Sequence, residues 1–106
     1  MIKKNHDPVL KDLSETLKKG IEDHIKEIIL FGSRARGDSS PESDYDLLVL
    51  VDKEIKEVED RIFNITCEIG WKHNVVITVF VHEKDTYKAR KYEPLFMNIR
   101  KEGVRV

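Results

Sequence analysis

Two aspartates, Asp44 and Asp46, stand at alternate positions where polar sequence gives way to the apolar run Tyr45–Val51. On an extended chain successive side chains point to opposite faces, so the pair shares one face, with Cα atoms roughly 6.5 Å apart. Carboxylates so placed repel each other, and each resists removal from water unless a positive charge offsets the repulsion. A hard divalent cation, Mg²⁺ or Mn²⁺, supplies that charge, because such ions prefer carboxylate oxygens. Taken alone, an Asp-x-Asp at a strand entrance reads as a solvated turn. Gly32 and Ser33, directly after the apolar run Glu27–Phe31, change that reading. A Gly-Ser pair leaving a buried strand presents backbone N–H groups and a hydroxyl to a phosphate, with no Cβ on the glycine to hold it away. Arg34 and Arg36 add guanidinium charge suited to phosphate oxygens. Cradle and carboxylate pair together describe a nucleoside triphosphate held with its metal.

Other phosphate and metal motifs fail. There is no GxxxxGK[ST] and no GxGxxG, and an EF-hand begun at Asp44 would put Leu48 at a ligand position.

These groups need elements to position them. Asp7-Pro8 reads as the N-cap and first residue of a helix, with Val9, Leu10, Leu13, Leu17 and Ile21 on one apolar face to about Asp23. The run 27–31 is a short buried strand and "SRAR" a short helix, while the segment 38–43, rich in serine and containing Pro41, has loop chemistry. Tyr45–Val51 is apolar on both faces, as a central strand should be. A long helix runs from Glu54 to about His73, with Ile55, Val58, Ile62, Ile65 and Ile69 as its core stripe and Phe63, Cys67 and Trp71 widening it. Asn74–Val81 is the most strand-like segment. Lys84 to about Lys101 is helical with an interruption near Pro94, and Val104–Val106 closes as a short strand. This order predicts an α/β (α+β) domain: a small mixed sheet with helices mainly on one face.

The 106 residues suit a single domain, 1–106. Nineteen Lys and Arg against 20 Asp and Glu leave a net charge of −1, which argues against a general nucleic-acid surface. One cysteine forms no internal disulfide, and four scattered histidines lack metal-ligand spacing. No segment approaches a membrane span or a leader, so the expected compartment is the cytoplasm, with no membrane partner. Cys67 is expected to be a buried small hydrophobe, and Trp71 to sit in the core or against a partner. Lys88, Arg90 and Lys91 read as a solvated helix face, and "PLFMNI" as core.

The stretch Gly32–Leu47 resembles the signature GSxARGxxxxxSDxDL of the minimal nucleotidyltransferases in the DNA polymerase beta superfamily. Gly32, Ser33, Ala35, Arg36, Gly37, Ser43, Asp44, Asp46 and Leu47 all fit it. The resemblance covers most of the chain, including the ending "EPLFMNIRKEGVRV". It implies a polymerase-beta-like fold in which Gly32 and Ser33 hold the triphosphate, Arg36 orients phosphates, and Asp44 and Asp46 are the catalytic, Mg²⁺-binding pair. It implies ATP as substrate, its α-phosphorus attacked by an acceptor hydroxyl while pyrophosphate leaves. It also implies a partner, because many similar proteins are antitoxins of HEPN-domain toxins and some transfer AMP to the toxin.

One departure stands out. Catalytic members carry a third carboxylate on a neighbouring strand, whereas Asn74–Val81 has no acid, and Val76 or Thr78 takes the equivalent place. Two functions follow: a nucleotidyltransferase acting on a partner, or a binding module that neutralises the partner by occlusion, its nucleotide site vestigial or regulatory. Small-molecule transferases of this type carry an additional domain for the acceptor. Here the acceptor is expected from a second chain, in a hetero-complex or homo-oligomer.

Overall fold

The computed structural model describes residues 7–21, 23–37 and 44–106. The expected loop 38–43, and with it Ser43 of the signature, lies outside the described residues. The elements run α1 (Pro8–Ile21), β1 (Ile25–Phe31), α2 (Ser33–Arg36), β2 (Tyr45–Val51), α3 (Lys56–His73), β3 (Ile77–Glu83), α4 (Lys84–Ala89), α5 (Pro94–Glu102) and β4 (Val104–Arg105).

The four strands form one sheet in the order β3-β2-β1-β4. β1 is antiparallel to both β2 and β4, while β2 and β3 are parallel, so the sheet is mixed. β2 lies inside it. Its apolar run is explained by burial on both faces, because Leu47, Leu48, Val49 and Val51 are all fully buried. On one face Leu47, Val49 and Val51 pack with Ile28 and Leu30 against Leu10, Leu13 and Leu17 of α1 and Ile62 and Ile69 of α3. On the other, Ile29, Phe31, Leu48 and Leu50 meet Phe96 and Ile99 of α5. The two long helices thus cover one face, and the short α5 covers part of the opposite one.

Asp7 caps α1 as expected, its Oδ1 accepting the N–H of Val9 at 2.8 Å. Four expectations need correction. Phe63, Cys67 and Trp71 do not widen the core face of α3: Phe63 and Cys67 are exposed, and Trp71 is 90% exposed. At about 100° per residue they stand about 100°, 140° and 180° around the helix from Ile62, whereas buried Val58, Thr66, Ile69 and Gly70 lie within about 80° of it. Cys67 is therefore not the buried hydrophobe its type suggested. Ile55 is exposed too, because it precedes α3 in an extended conformation (φ −111°, ψ 129°) and never joins the helical stripe. Finally, β3 begins at Ile77, three residues later than the expected start at Asn74, because Asn74 adopts a left-handed conformation (φ 56°) that ends α3 and the Val75 N–H bonds back to Gly70.

Candidate functional site

The predicted residues gather at one end of the sheet, on the α5 side. Asp46, the second residue of β2, is in register with Phe31 at the end of β1 and with Thr78 on β3. Paired residues in a sheet present their side chains to the same face, so Asp46 projects on the side of Leu48, Leu50 and Phe96. Asp44, two positions earlier, is exposed just ahead of the strand, and its charge acts on Asp46. Phe31 and Phe80, their ring centroids 5.9 Å apart, give the carboxylates an apolar flank.

Gly32 turns the chain out of β1 and into α2 with φ 81° and ψ −161°. A Cβ at this position would stand 2.4 Å from Asp46 Oδ2, so the bare glycine is what lets that carboxylate lie against the turn. Ser33 opens α2, half-exposed beside Gly32, and its carbonyl accepts the Gly37 N–H at 3.0 Å. The structure therefore brings the Gly-Ser turn and the carboxylate pair into one place, although ten residues of chain separate Ser33 from Asp44.

The two arginines part company. Arg34 lies over the ring of Tyr45, 3.9 Å from its centroid, on the α1 side of the sheet. Tyr45 in turn donates its hydroxyl to Asp7 Oδ2 at 2.7 Å, and burial followed by that bond pushes its phenol up to about 12. Arg36 projects to the site side, where Nη1 donates to both oxygens of Glu102 at 3.2 and 3.1 Å. The Gly32 N–H donates to the same carboxylate, Glu102 Oε1, at 3.2 Å. Sequence reasoning missed Glu102. It lies 66 and 70 residues from its partners, and no local pattern marks it.

Burial holds the Asp46 carboxyl above the usual carboxylate range, the charge of Asp44 raises it further, and the Arg36 guanidinium only partly opposes them. A divalent ion between the two aspartates relieves both causes. Among the described residues no three His, Cys, Asp or Glu side chains come together as a metal cluster, so such an ion would complete its shell from phosphate and water oxygens. The missing third acid is visible in the register. Thr78 is level with Asp46, Val76 lies beside the start of β2, where its carbonyl accepts the Tyr45 N–H, and the first acid along β3, Glu83, pairs with Val51 at the opposite end of the strand. Glu102 does not join Asp44 and Asp46 in a three-acid group.

Comparison with known proteins agrees with this geometry. Residues 11–104 match the family model described as Polymerase beta, Nucleotidyltransferase. A protein of Methanocaldococcus jannaschii, provisionally named protein adenylyltransferase MJ0604, is 31% identical over 99 residues, covering 93% of this chain and 95% of that protein. Among solved structures, a chain from a toxin–antitoxin crystal structure with AMP-PNP superposes with a TM-score of 0.65 at 15% identity, over 90% of this chain and 70% of that one. A structure described provisionally as a minimal nucleotidyltransferase gives 0.61 at 17% identity, over 97% and 100%. At such identities the structural likeness is one of fold. Among the described residues no helix is long and apolar enough to cross a membrane.

Proposed function

The chain belongs to the Polymerase beta nucleotidyltransferase family, and from that premise we propose that it transfers AMP from ATP to a hydroxyl of a partner protein, as the antitoxin of a HEPN-domain toxin. The observation that carries this reading is the seating of the Asp46 carboxylate directly on Gly32, which sets a metal-type acid pair against a turn suited to phosphate. Support for adenylate as the group transferred comes from the related protein named an adenylyltransferase and from the structural neighbour with AMP-PNP. Support for a toxin as acceptor comes from that same neighbour, a toxin–antitoxin pair.

In this reading Gly32 and Ser33 receive the triphosphate, and Arg36 sets its orientation through guanidinium N–H donors. Asp44 and Asp46 hold Mg²⁺ or Mn²⁺, which supplies charge neutralisation at the triphosphate and at the entering and departing oxygens. The acceptor oxygen forms a bond to the α-phosphorus, the bond to the bridging oxygen of pyrophosphate breaks, and the acceptor proton passes to solvent. In-line positioning supplies much of the rate. Asp44, exposed beside Asp46, keeps the metal side of the site open to an acceptor carried by a second chain.

A second reading rests on one specific observation, the Val76 and Thr78 that stand where a third acid would be. It makes the chain a non-catalytic antitoxin that occludes its toxin while nucleotide binding is regulatory. One experiment separates the two. The chain is incubated with α-labelled ATP, Mg²⁺ and a purified HEPN-domain partner, alongside Asp44→Ala and Asp46→Ala. Label on the partner that disappears in both variants supports transfer. Full neutralisation of the toxin with no label supports occlusion, and label that survives both substitutions removes the proposed site from the reaction.

A further inference from the structure

Glu102 is tied to both Gly32 and Arg36, at the two ends of the turn. Its Oε1 accepts from the Gly32 N–H at 3.2 Å and from Arg36 Nη1 at 3.2 Å, while Oε2 accepts from the same Nη1 at 3.1 Å. The Glu102 side chain is only 23% exposed and its bond from the Gly32 N–H is partly buried, while the Arg36 pair lies at the surface. Its backbone seat is fixed as well. Glu102 is the last residue of α5, whose Phe96 and Ile99 are buried against the sheet. The next residue, Gly103, donates its N–H to Ile99 at 2.7 Å, and a Cβ there would stand 2.7 Å from Ile29 Cγ2. Immediately after it, β4 pairs with β1 through Val104–Leu30 and Arg105–Ile29. The carboxylate is thus carried by a residue held between a docked helix and a paired strand.

We propose that Glu102 is a positioning residue of the phosphate cradle, its carboxylate holding the Gly32 turn in place and orienting the Arg36 guanidinium, whose other N–H groups meet a triphosphate. The inference rests on the nucleotide reading of the site given above. A guanidinium on a solvent-facing helix loses side-chain freedom when it binds phosphate, and a partner that orders it beforehand removes part of that cost. A carboxylate that competed with phosphate for the same donors would have the opposite effect, so the sign of one measurement decides.

The test is calorimetric titration of MgATP into the full chain, its Glu102→Ala, Glu102→Gln and Arg36→Ala variants and the Arg36→Ala/Glu102→Ala double variant, each with a thermal melt. Glu102→Ala is expected to weaken MgATP binding about tenfold, the effect of losing one charge-assisted hydrogen-bonding partner. Glu102→Gln is expected to recover most of that loss, since its amide oxygen still accepts from Gly32 and Arg36. In the Arg36→Ala background the loss is expected to shrink to less than about threefold, because Glu102 acts largely through Arg36. A role confined to holding the fold would lower the melting temperature without this coupling. Unchanged or tighter binding by Glu102→Ala overturns the inference alone. Absence of MgATP binding by the parent protein overturns the nucleotide reading and this inference with it. Should Glu102→Ala not fold, Glu102→Asp takes its place: it keeps the charge but withdraws the acceptor by one methylene, and MgATP binding as tight as in the parent overturns the proposal.

Discussion

At Gly32 two requirements meet in one atom-sized space. The residue sits at φ 81°, where side chains are disfavoured, and Asp46 Oδ2 occupies the position a Cβ would crowd at 2.4 Å. Gly32→Ala should therefore cost about 2 kcal/mol from the backbone alone, and it should also push the carboxylate off the turn. Urea unfolding measures the first effect, and loss of MgATP binding in a still-folded variant measures the second. Asp46 carries a signature of its own. Burial, then Asp44, raises its folded pKa, so between the ordinary carboxylate value and the raised one the folded state holds more protons than the unfolded chain. Stability then falls as pH rises through that window and stays at the lower level above it. Asp46→Asn removes this penalty. In the absence of divalent ions it should melt about 2 °C above the parent at pH 7, the difference closing near pH 3. A variant that melts lower at pH 7 would show that the carboxylate stabilises the fold without a metal. The glycine, serine and paired aspartates were legible in sequence because spacing and residue type express local chemistry. Whether the carboxylate touches the turn depends on the β1–β2 register, and that only folding sets.

Among the elements, the central strand and the first helix were readable because burial leaves a regular mark. Val9, Leu10, Leu13, Leu17 and Ile21 all lie in the core, and Tyr45–Val51 has the expected bounds. α3 was harder because its sequence carries two apolar stripes. Val58, Ile62 and Ile69 face the sheet, whereas Phe63, Cys67 and Trp71, also apolar and spaced by four, face away. Periodicity identifies a helix and an apolar stripe, but it does not say which of two stripes the sheet will cover. The pair makes a direct comparison. Ile62→Ala, at a fully buried position, should cost about 3 kcal/mol by opening a cavity. Trp71→Ala, removing a far larger side chain that is 90% exposed, should change stability by less than about 0.5 kcal/mol. Guanidinium unfolding of both variants checks the orientation of α3, and a Trp71→Ala cost above that of Ile62→Ala would reverse it. The same reasoning accounts for β3. Its run is the most strand-like in the sequence, yet the turn at Asn74 consumes its first residues, and the described sheet leaves its outer edge unpaired.

Over the whole molecule the candidate site is assembled from segments far apart in sequence: the end of β1, the start of β2 and the end of α5. That last contribution was invisible in the sequence, because an acid at the end of a helix is ordinarily a solvated residue and nothing nearby in the chain marks Glu102 as different. Its placement depends on a close approach at the following residue. Gly103 has an ordinary φ of −68°, so its requirement is for space and not for conformation. A Cβ there would meet Ile99 O at 2.4 Å and Ile29 Cγ2 at 2.7 Å, both of them parts of the packed layer between α5 and β1. Gly103→Ala must therefore lift the end of α5 from the sheet by a few tenths of an ångström or more, at a cost of about 1–3 kcal/mol for overpacking. Because Glu102 is the adjoining residue and bridges to Gly32 and Arg36, that displacement should reach the turn. Amide hydrogen exchange gives the readout. Relative to the parent, Gly103→Ala should accelerate exchange at Gly32 and along β4, while amides in the α1–α3 layer, on the far side of the sheet, speed up only as much as the global loss of stability requires. Uniform acceleration across both layers would mean that the end of α5 is coupled to the turn no more strongly than to the rest of the protein, and would separate the packing of Gly103 from the geometry of the site.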